Sequence, residues 1–248
     1  MTSKTAKVKK KFVSIVIPTY NERENIRMLV PRIFRVFKRE RIKGEVIIVD
    51  DNSPDGTGEI AEKLKNKYSL KVIHREKKSG LSSAVLEGFR KADGEIIGVM
   101  DADLSHPPEY IPDFVRPIIR KEADLVIGSR RVKGGGIRGW PLSRIIISRS
   151  AAMLAKGLTK AKDPMSGFFF FNRKIMNSIE LKPSGYKICL EIIVKGKYDK
   201  MKEIPYVFVN RKEGKSKLGF METLRYFYHL FRLYWYKKSH KKQKALPI

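Results

Sequence analysis

The chain has 248 residues with 53 Lys and Arg against 26 Asp and Glu, so its formal net charge at pH 7 is +27. A hydrophobic content of 42% excludes global disorder, and the length allows one large domain or two small ones with a sizeable core. The excess charge predicts an anionic partner or surface, and the single cysteine, Cys189, excludes an internal disulfide framework and a cysteine-based zinc site.

Both ends of the chain are basic. Residues 1–11 carry a net charge of +5 and residues 211–248 carry +9, so the two ends supply about half of the total. No stretch approaches the roughly 20 consecutive apolar residues of a membrane-spanning helix. The apolar segment 12–17 is too short for the core of a signal peptide. We therefore expect the chain to be made on the cytoplasmic side and to stay there.

Short apolar runs alternate with amphipathic stretches from residue 12 onwards. The pattern predicts strands at 12–17, 45–50, 70–74, 95–100 and 124–129, and helices at 22–39, 56–67, 81–92 and 109–121. The runs 46–49 and 96–100 are continuously apolar, which is typical of strands buried on both faces of a parallel sheet. The sequence therefore predicts an α/β fold with a mainly parallel sheet flanked by helices.

The pattern is looser beyond residue 131. Gly134, Gly136 and Gly139 match the spacing of a dinucleotide-binding fingerprint but do not follow the first strand, so we interpret 134–139 as a mobile loop. Helices are predicted at 141–158 and 187–196, with an extended stretch at 200–209.

Polar residues follow several predicted strands. Ligands of doubly wound sheets bind at the carboxyl ends of the strands, and the fourth strand is followed there by Asp101 and Asp103. Two carboxylates two residues apart suit Mg²⁺ or Mn²⁺, which would keep open positions for phosphate oxygens. Basic side chains that could contact phosphates are Arg130, Arg144, Arg211 and Lys217.

The segment 222–236 is predicted to be an amphipathic helix. Seven of residues 226–236 are aromatic, and a lysine-rich tail follows. One face is predicted to carry Leu224, Phe227, Tyr228, Phe231 and Trp235, and the other Arg225, His229, Arg232 and Tyr236. This pattern favours an interfacial helix on an anionic membrane surface, and the alternative is a helix that docks on its own domain with a solvated basic back.

Several motifs resemble those of a known family. The segments 18–25, 50–57, 101–108 and 128–130 recur in this order in the GT-A-fold, family 2 inverting glycosyltransferases. Further segments resemble the dolichyl-phosphate mannose synthases in particular: 140–141, Arg144, 147–149, 163–168 and 216–218. The resemblance runs from about residue 12 to 236 and suggests a short form without a transmembrane anchor domain.

The resemblance implies three parts of the chain. They are a basic N-terminal tail at 1–11, a GT-A catalytic domain at 12–210, and an acceptor and membrane-interface segment at 211–248. The implied reaction moves mannose from GDP-mannose to dolichyl or polyprenyl phosphate with inversion, with Mg²⁺ or Mn²⁺ as cofactor. The protein would be a peripheral membrane enzyme, and small membrane-protein subunits are left open as partners.

The resemblance also implies site residues. Asp101, Asp103, Arg130 and Arg144 would form the catalytic set, and Asp101 and Asp103 would hold the metal, with Ser105 as a third ligand where some members have Gln. Nucleotide-sugar contacts would come from Pro18, Tyr20, Glu22, Val49, Asp51, Asp101, Ala102, Asp103, Arg130, Arg211 and Lys217.

Two alternatives stay open at this point. Another family 2 transferase could use a UDP-sugar or make polyprenyl-phosphate glucose. A nucleic-acid-binding protein would also be strongly basic, but it would have no use for acidic strand ends, and we expect no nucleic-acid partner.

Overall fold

The computed structural model describes residues 12–182, 187–209 and 220–243, apart from the side chains of 178, 220–223 and 241–243. The strands are β1 (Phe12–Thr19), β2 (Lys43–Asp50), β3 (Leu70–His74), β4 (Ile96–Val99), β5 (Leu125–Ser129), β6 (Gly136–Arg138), β7 (Phe169–Asn172), β8 (Met201–Pro205) and β9 (Val207–Val209). The helices are α1 (Arg23–Arg39), α2 (Thr57–Lys65), α3 (Leu81–Lys91), α4 (Ile111–Ile119), α5 (Leu142–Leu154), α6 (Ile188–Lys195) and α7 (Phe220–Gln243).

Seven strands form one sheet in the order β3-β2-β1-β4-β7-β5-β8. All neighbouring pairs are parallel except those of β7, which runs antiparallel to both β4 and β5. Strands β2 and β3 lie on one side of β1, and β4 lies on the other, so the direction of winding reverses at β1. Doubly wound sheets bind their ligands at such a point. The α/β prediction with a mainly parallel sheet is confirmed, whereas the sequence pattern had not indicated β7.

Two apolar layers cover the sheet. One face packs against α1, α2 and α4, and the other packs against α3 and α6. In α1 the buried residues recur at helical spacing from Ile26 to Phe37, which explains why this polar-surfaced helix docks along a single stripe. The continuous apolar runs in β2 and β4 are buried on both faces, as predicted.

The prediction of a mobile loop at 134–139 is wrong for its centre. Residues Gly136–Arg138 form β6, which pairs in parallel with β9. Gly134 and Gly139 flank this strand with φ angles of 90° and 79°, a left-handed conformation that glycine adopts at little cost. The glycines therefore shape the turns on either side of a short strand.

Helix α7 packs against α6 and the segment that follows α5 through a small apolar cluster made by Ala155, Leu158, Leu190, Leu230 and Leu233. Buried Glu191 of α6 reinforces this contact, because its carboxylate lies 3.9 Å from Arg232 of α7. Within α6 the same carboxylate accepts a 2.5 Å hydrogen bond from Lys195 Nζ. Helix α7 is thereby fixed beside the carboxyl edge of the sheet.

Candidate active site

The carboxyl ends of β1, β2 and β4 meet at one edge of the sheet. The chain leaves each strand through a residue with positive φ: Asn21 at 57°, Asn52 at 59° and Leu104 at 62°. Asn adopts this region readily, but Leu does not, so the backbone at Leu104 is strained. Such strain persists only where neighbouring contacts fix the conformation.

A cavity of about 580 Å³ opens at this edge. Its lining includes every described residue predicted for the catalytic and donor sites except Val49 and Ser105: Pro18, Tyr20, Glu22, Asp51, Asp101, Ala102, Asp103, Arg130 and Arg144. The same cavity continues between α5 and α7, where its lining includes Ile146, Ile147, Leu154 and Phe227. One continuous space therefore joins an acidic end to an apolar end.

Asp103 is held by its own loop. Its Oδ1 accepts hydrogen bonds from the Ser105 backbone N–H at 3.1 Å and from the Ser105 hydroxyl at 2.5 Å. These bonds close a tight turn around Leu104 and account for its left-handed backbone. Ser105 thus orients Asp103 from behind, and its direct binding to a metal stays a prediction.

Asp101 is held by His106. The Asp101 backbone N–H donates to His106 Nδ1 at 2.9 Å, and His106 Nε2 lies 3.7 Å from Asp101 Oδ2. The imidazole is 1% exposed. Its burial lowers the pKa of His106 below 6.5, although the charges of Asp101 and Asp103 oppose this shift. Because Nδ1 accepts the Asp101 backbone N–H, the ring proton is on Nε2.

Asp51 organises the wall of the cavity. Its carboxylate accepts from the backbone N–H groups of Ser79 and Gly80, at 3.0 and 2.9 Å, and from Arg75 Nη1 at 2.7 Å. These contacts fix the loop before α3, and Lys78 of this loop lies 3.5 Å from the centroid of the Tyr20 ring. Asp51 borders the predicted nucleotide pocket while it also orders this loop.

Glu22 and Val49 occupy different environments. The Glu22 backbone N–H donates to Thr57 Oγ1 at 2.9 Å, and its carboxylate accepts from Asn25 at 2.6 Å. Val49 is fully buried between the sheet and α3. Among the described residues its side chain belongs to the core and not to the cavity lining, and its role in donor binding stays a prediction.

Arg130 forms a buried bidentate pair with Asp163. Arg130 Nε donates to Asp163 Oδ2 at 2.7 Å and Nη2 donates to Oδ1 at 2.8 Å. Burial alone would raise the pKa of Asp163, but the hydrogen bonds and charge of Arg130 hold it below 3.8. Glu203 of β8 in turn accepts the Asp163 backbone N–H at 3.0 Å. The guanidinium therefore reaches the cavity in a fixed orientation.

Arg144 lies at the start of α5 against an aromatic ring. Its guanidinium carbon is 4.0 Å from the centroid of Trp140, which also contacts Phe208 at 5.3 Å. This distance is suited to a cation–π interaction. Arg130 and Arg144 thus place two cationic groups beside the carboxylates of Asp101 and Asp103.

The outer surfaces of α5 and α7 are apolar. On α7 the residues predicted for the interface are all exposed: Leu224, Phe227, Tyr228, Phe231 and Trp235. On α5 the exposed apolar residues are Leu142, Ile146, Ile147, Met153 and Leu154. Tyr234 of α7 donates to the Leu154 carbonyl at 2.9 Å, which joins the two helices. Within the described ranges, no helix is long and apolar enough to cross a membrane.

The face of α7 that was predicted to be basic is partly buried against the domain. His229, which the helical pattern placed on a basic face, is buried, and α7 docks through this side. Arg211, Lys217 and the two basic tails lie outside the described residues. In the described part of the chain, no group of three or more His, Cys, Asp or Glu side chains is arranged to hold a metal ion.

Sequence reasoning assigned no role to several residues that shape this site. His106, Trp140 and Asp163 lie in the segments that carried the family resemblance, but their contacts depend on the fold. The apolar surface of α5 was also missed. The run Ile145–Ile147 could have indicated an apolar surface. Three consecutive apolar residues do not show which side of a helix faces the solvent.

Comparisons with known proteins identify the family of this chain. Residues 14–179 match the family model "Glycosyl transferase family 2". A dolichol-phosphate mannosyltransferase from Pyrococcus furiosus is 46% identical over 89% of this chain, which spans 63% of that relative's length. A dolichol-phosphate mannosyltransferase from Saccharomyces cerevisiae is 39% identical over 90% of this chain and 87% of its own length.

A solved structure shares the fold at low identity. Glucosyl-3-phosphoglycerate synthase from Mycobacterium tuberculosis, in complex with Mn²⁺, uridine diphosphate and phosphoglyceric acid, gives a TM-score of 0.67 at 20% identity. The match covers 90% of this chain and 78% of that one. The chain belongs to glycosyl transferase family 2 and, within it, to the family of the dolichol-phosphate mannosyltransferases.

Proposed function

We propose that this protein transfers mannose from GDP-mannose to dolichyl or polyprenyl phosphate with inversion, giving dolichyl β-D-mannosyl phosphate. The observation that carries the proposal is the continuous cavity, which joins the acidic strand ends to an apolar cleft between α5 and α7. A nucleotide sugar suits the first end and a lipid phosphate suits the second. The names of the relatives from Pyrococcus furiosus and Saccharomyces cerevisiae support mannose and dolichol phosphate.

The donor occupies the sheet edge in this proposal. Pro18, Tyr20, Glu22 and Asp51 bind the guanosine, and Asp101 and Asp103 face the diphosphate. This assignment follows the position of the β1 and β2 ends on one side of the cavity and of the β4 end beside them. Arg211 and Lys217 are proposed to contact phosphates from the segment beyond β9.

The two carboxylates at the end of β4 suit Mg²⁺ or Mn²⁺. These ions are bound in many phosphate-transfer sites by one or two carboxylates together with substrate phosphates, so two fixed carboxylates without a complete protein cage are the expected arrangement. Asp101 and Asp103 would hold the ion. When bound, it would stabilise the negative charge that develops on the departing diphosphate.

The basic side chains orient the acceptor. A phosphate monoester is already anionic near neutral pH, so it requires alignment with the sugar more than deprotonation. Arg144, supported by Trp140, binds the acceptor phosphate, and Arg130, fixed by Asp163, contacts a donor or acceptor phosphate. Attack from the side opposite the diphosphate converts an α-linked donor into a β-linked product.

The apolar surface of α5 and α7 is proposed to lie on an anionic membrane. Exposed aromatic and aliphatic side chains on two adjacent helices suit insertion into the lipid interface, and the lysine-rich ends suit acidic headgroups. This arrangement places the open cleft where a membrane-bound lipid phosphate would enter. The protein would act as a peripheral enzyme on the cytoplasmic side.

A transfer assay tests the proposal. The purified chain is incubated with polyprenyl phosphate and GDP-mannose, UDP-glucose or UDP-GlcNAc, with Mg²⁺, Mn²⁺ or EDTA. We expect a mannosylated lipid from GDP-mannose only, and no product with EDTA. Product from a UDP-sugar would identify another family 2 transferase, and the absence of lipid product from every donor would refute the proposal.

A matched pair of variants links activity to the site. Asp103→Asn keeps the size of the side chain but removes a charge from the cavity, whereas Asp113→Asn removes an exposed charge from α4. We expect Asp103→Asn to abolish metal-dependent transfer and Asp113→Asn to retain it. Equal activity of the two variants would contradict the assigned metal site.

A further inference from the structure

His106 contacts Asp101 at both its main chain and its side chain. Nδ1 accepts the Asp101 backbone N–H at 2.9 Å, while Nε2 lies 3.7 Å from Oδ2 of the same residue. The main-chain hydrogen bond fixes the imidazole, because a rotation of the ring would move Nδ1 away from the Asp101 N–H. The Nε2–H lies on the side of the ring nearest the carboxylate, slightly beyond hydrogen-bond distance.

The imidazole is itself fixed by aromatic packing. It stacks on Phe168 with ring centroids 4.9 Å apart and an interplanar angle of 11°. Tyr206 contacts it edge-on at 5.8 Å, and the ring is buried from solvent. Phe168 directly precedes β7, so the sheet determines the position of the ring.

Gly167 lies beside both the Asp101 carboxylate and the His106 ring. A Cβ atom at position 167 would lie 3.1 Å from Asp101 Oδ2, 3.2 Å from Oδ1 and 3.2 Å from His106 Cε1. These distances are shorter than ordinary van der Waals contacts. The absence of a side chain at Gly167 therefore allows the carboxylate and the imidazole to share this space.

We infer that His106 and Gly167 are positioning residues that hold the Asp101 carboxylate in the orientation required for binding a divalent metal. The inference rests on the proposed function. It assigns each carboxylate a separate support, because Ser105 holds Asp103 and His106 with Gly167 holds Asp101. Groups behind a metal ligand commonly orient it and tune the affinity of the site.

Variants at His106 separate its contacts. His106→Phe retains the stacked ring and removes both nitrogens, and His106→Asn keeps an acceptor near the position of Nδ1. The dissociation constant for Mn²⁺ would be measured with and without GDP, from the electron paramagnetic resonance signal of the free ion. We expect His106→Phe to weaken Mn²⁺ binding about 10- to 100-fold, His106→Asn to restore part of the loss, and Gly167→Ala to weaken binding by a smaller factor.

A packing variant supplies the control. Phe114 packs on Phe168 with ring centroids 4.4 Å apart, so Phe114→Leu loosens the same aromatic cluster away from Asp101. We expect this variant to lose thermal stability and to keep the wild-type affinity for Mn²⁺. The inference fails if His106→Phe binds Mn²⁺ like wild type, or if Phe114→Leu loses as much affinity as His106→Phe at a similar Tm.

Metal binding by the wild-type chain distinguishes failure of this inference from failure of the proposed function. A wild-type chain that binds neither Mn²⁺ nor Mg²⁺ would refute the metal site, and the inference with it. A wild-type chain that binds Mn²⁺ with an affinity insensitive to His106 would refute only the positioning role.

Discussion

The Asp163 carboxylate is fully buried, and Arg130 compensates for the loss of hydration. The two residues are 33 positions apart, and three hydrogen bonds from Arg130 to Asp163, including one from its backbone N–H, hold them together. A sequence pattern could identify Arg130 as a basic residue at a strand end. It could not identify Asp163 as its partner, because the pairing depends on the loop that leads into β7.

Removing the Asp163 charge should destabilise the protein. Asp163→Asn would leave a buried guanidinium without its counter-ion, and breaking a buried pair in this way costs about 3–5 kcal/mol. The free energy of unfolding in urea would measure the loss. Asp113→Asn, which changes an exposed carboxylate, should stay within about 0.5 kcal/mol of wild type. A similarly small effect of Asp163→Asn would contradict the importance of the pair.

The stabilisation by Asp163 should depend on pH. The pKa of Asp163 is lower in the folded protein than its ordinary value of 3.8, despite burial, because Arg130 stabilises the carboxylate. Its contribution is therefore complete above the ordinary pKa and is lost as the pH falls through the folded pKa. Unfolding free energies measured against pH should show the gap between wild type and Asp163→Asn narrowing in acid. A constant gap down to the lowest accessible pH would contradict this assignment.

Trp140 should affect the acceptor through Arg144. A cation–π contact is worth roughly 0.5–2 kcal/mol, so Trp140→Leu should raise the KM for polyprenyl phosphate by about 2- to 30-fold. Trp140→Phe should have an intermediate effect, because phenylalanine presents a weaker ring face. Steady-state kinetics with varied acceptor would measure both variants, and thermal denaturation would control for folding. An unchanged KM for both would show that the ring does not support acceptor binding.

At the scale of elements, the sequence of α7 was sufficient to predict its exposed face but not the segments on which it docks. Its periodic pattern predicted the aromatic face correctly, and Phe231 and Trp235 are 69% and 68% exposed. The partner of the opposite face was not predictable, because Leu230 and Leu233 pack against residues that are distant in sequence, Ala155, Leu158 and Leu190. The helix is also longer than predicted, since it extends from Phe220 to Gln243.

Replacing exposed aromatic residues of α7 should impair membrane binding alone. Phe231→Ser with Trp235→Ser removes two exposed rings, so the Tm should change little while co-sedimentation with vesicles containing acidic lipid decreases. Met28→Ser changes an exposed apolar residue on α1 and should leave vesicle binding unchanged. Vesicle binding that survives the double substitution would contradict an interfacial role for α7.

Most strands of the sheet and most of the helices that flank it could be predicted from their apolar periodicity. The observed ends differ from the predicted ends by a few residues. The exceptions have physical causes. Residues 168–171 are four consecutive phenylalanines, and such a run reveals neither the direction of a strand nor its neighbours. Gly136–Arg138 is too short to show any period and becomes β6 only through its pairing with β9. The carboxylate pair Asp101 and Asp103 could be predicted because both lie on one local turn. The contacts of Gly167 and Phe168 around Asp101 and His106, and the pairing of Asp163 with Arg130, could not be predicted, because they come from distant segments.

At the scale of the whole molecule, the net charge of +27 should make membrane association sensitive to salt. Screening shortens the Debye length from about 30 Å at 0.01 M to about 8 Å at 0.15 M salt, so binding to acidic vesicles should weaken as salt is added. Screening should also relieve repulsion within the protein and raise its Tm. Vesicle co-sedimentation and thermal denaturation across a salt series would measure the two opposite trends. Salt-independent binding would contradict the electrostatic contribution.

The position of β7 has a consequence for biosynthesis. In the described sheet, β5 and β8 join the other strands only through β7, a segment of four residues that follows β5 by about forty positions. As the chain leaves the ribosome, β1 to β4 can pair as they emerge, but β5 has no neighbour until Phe169–Asn172 has been made. The two halves of the sheet must therefore be joined late, across the long segment that contains β6 and α5, and this step is expected to limit the rate of folding.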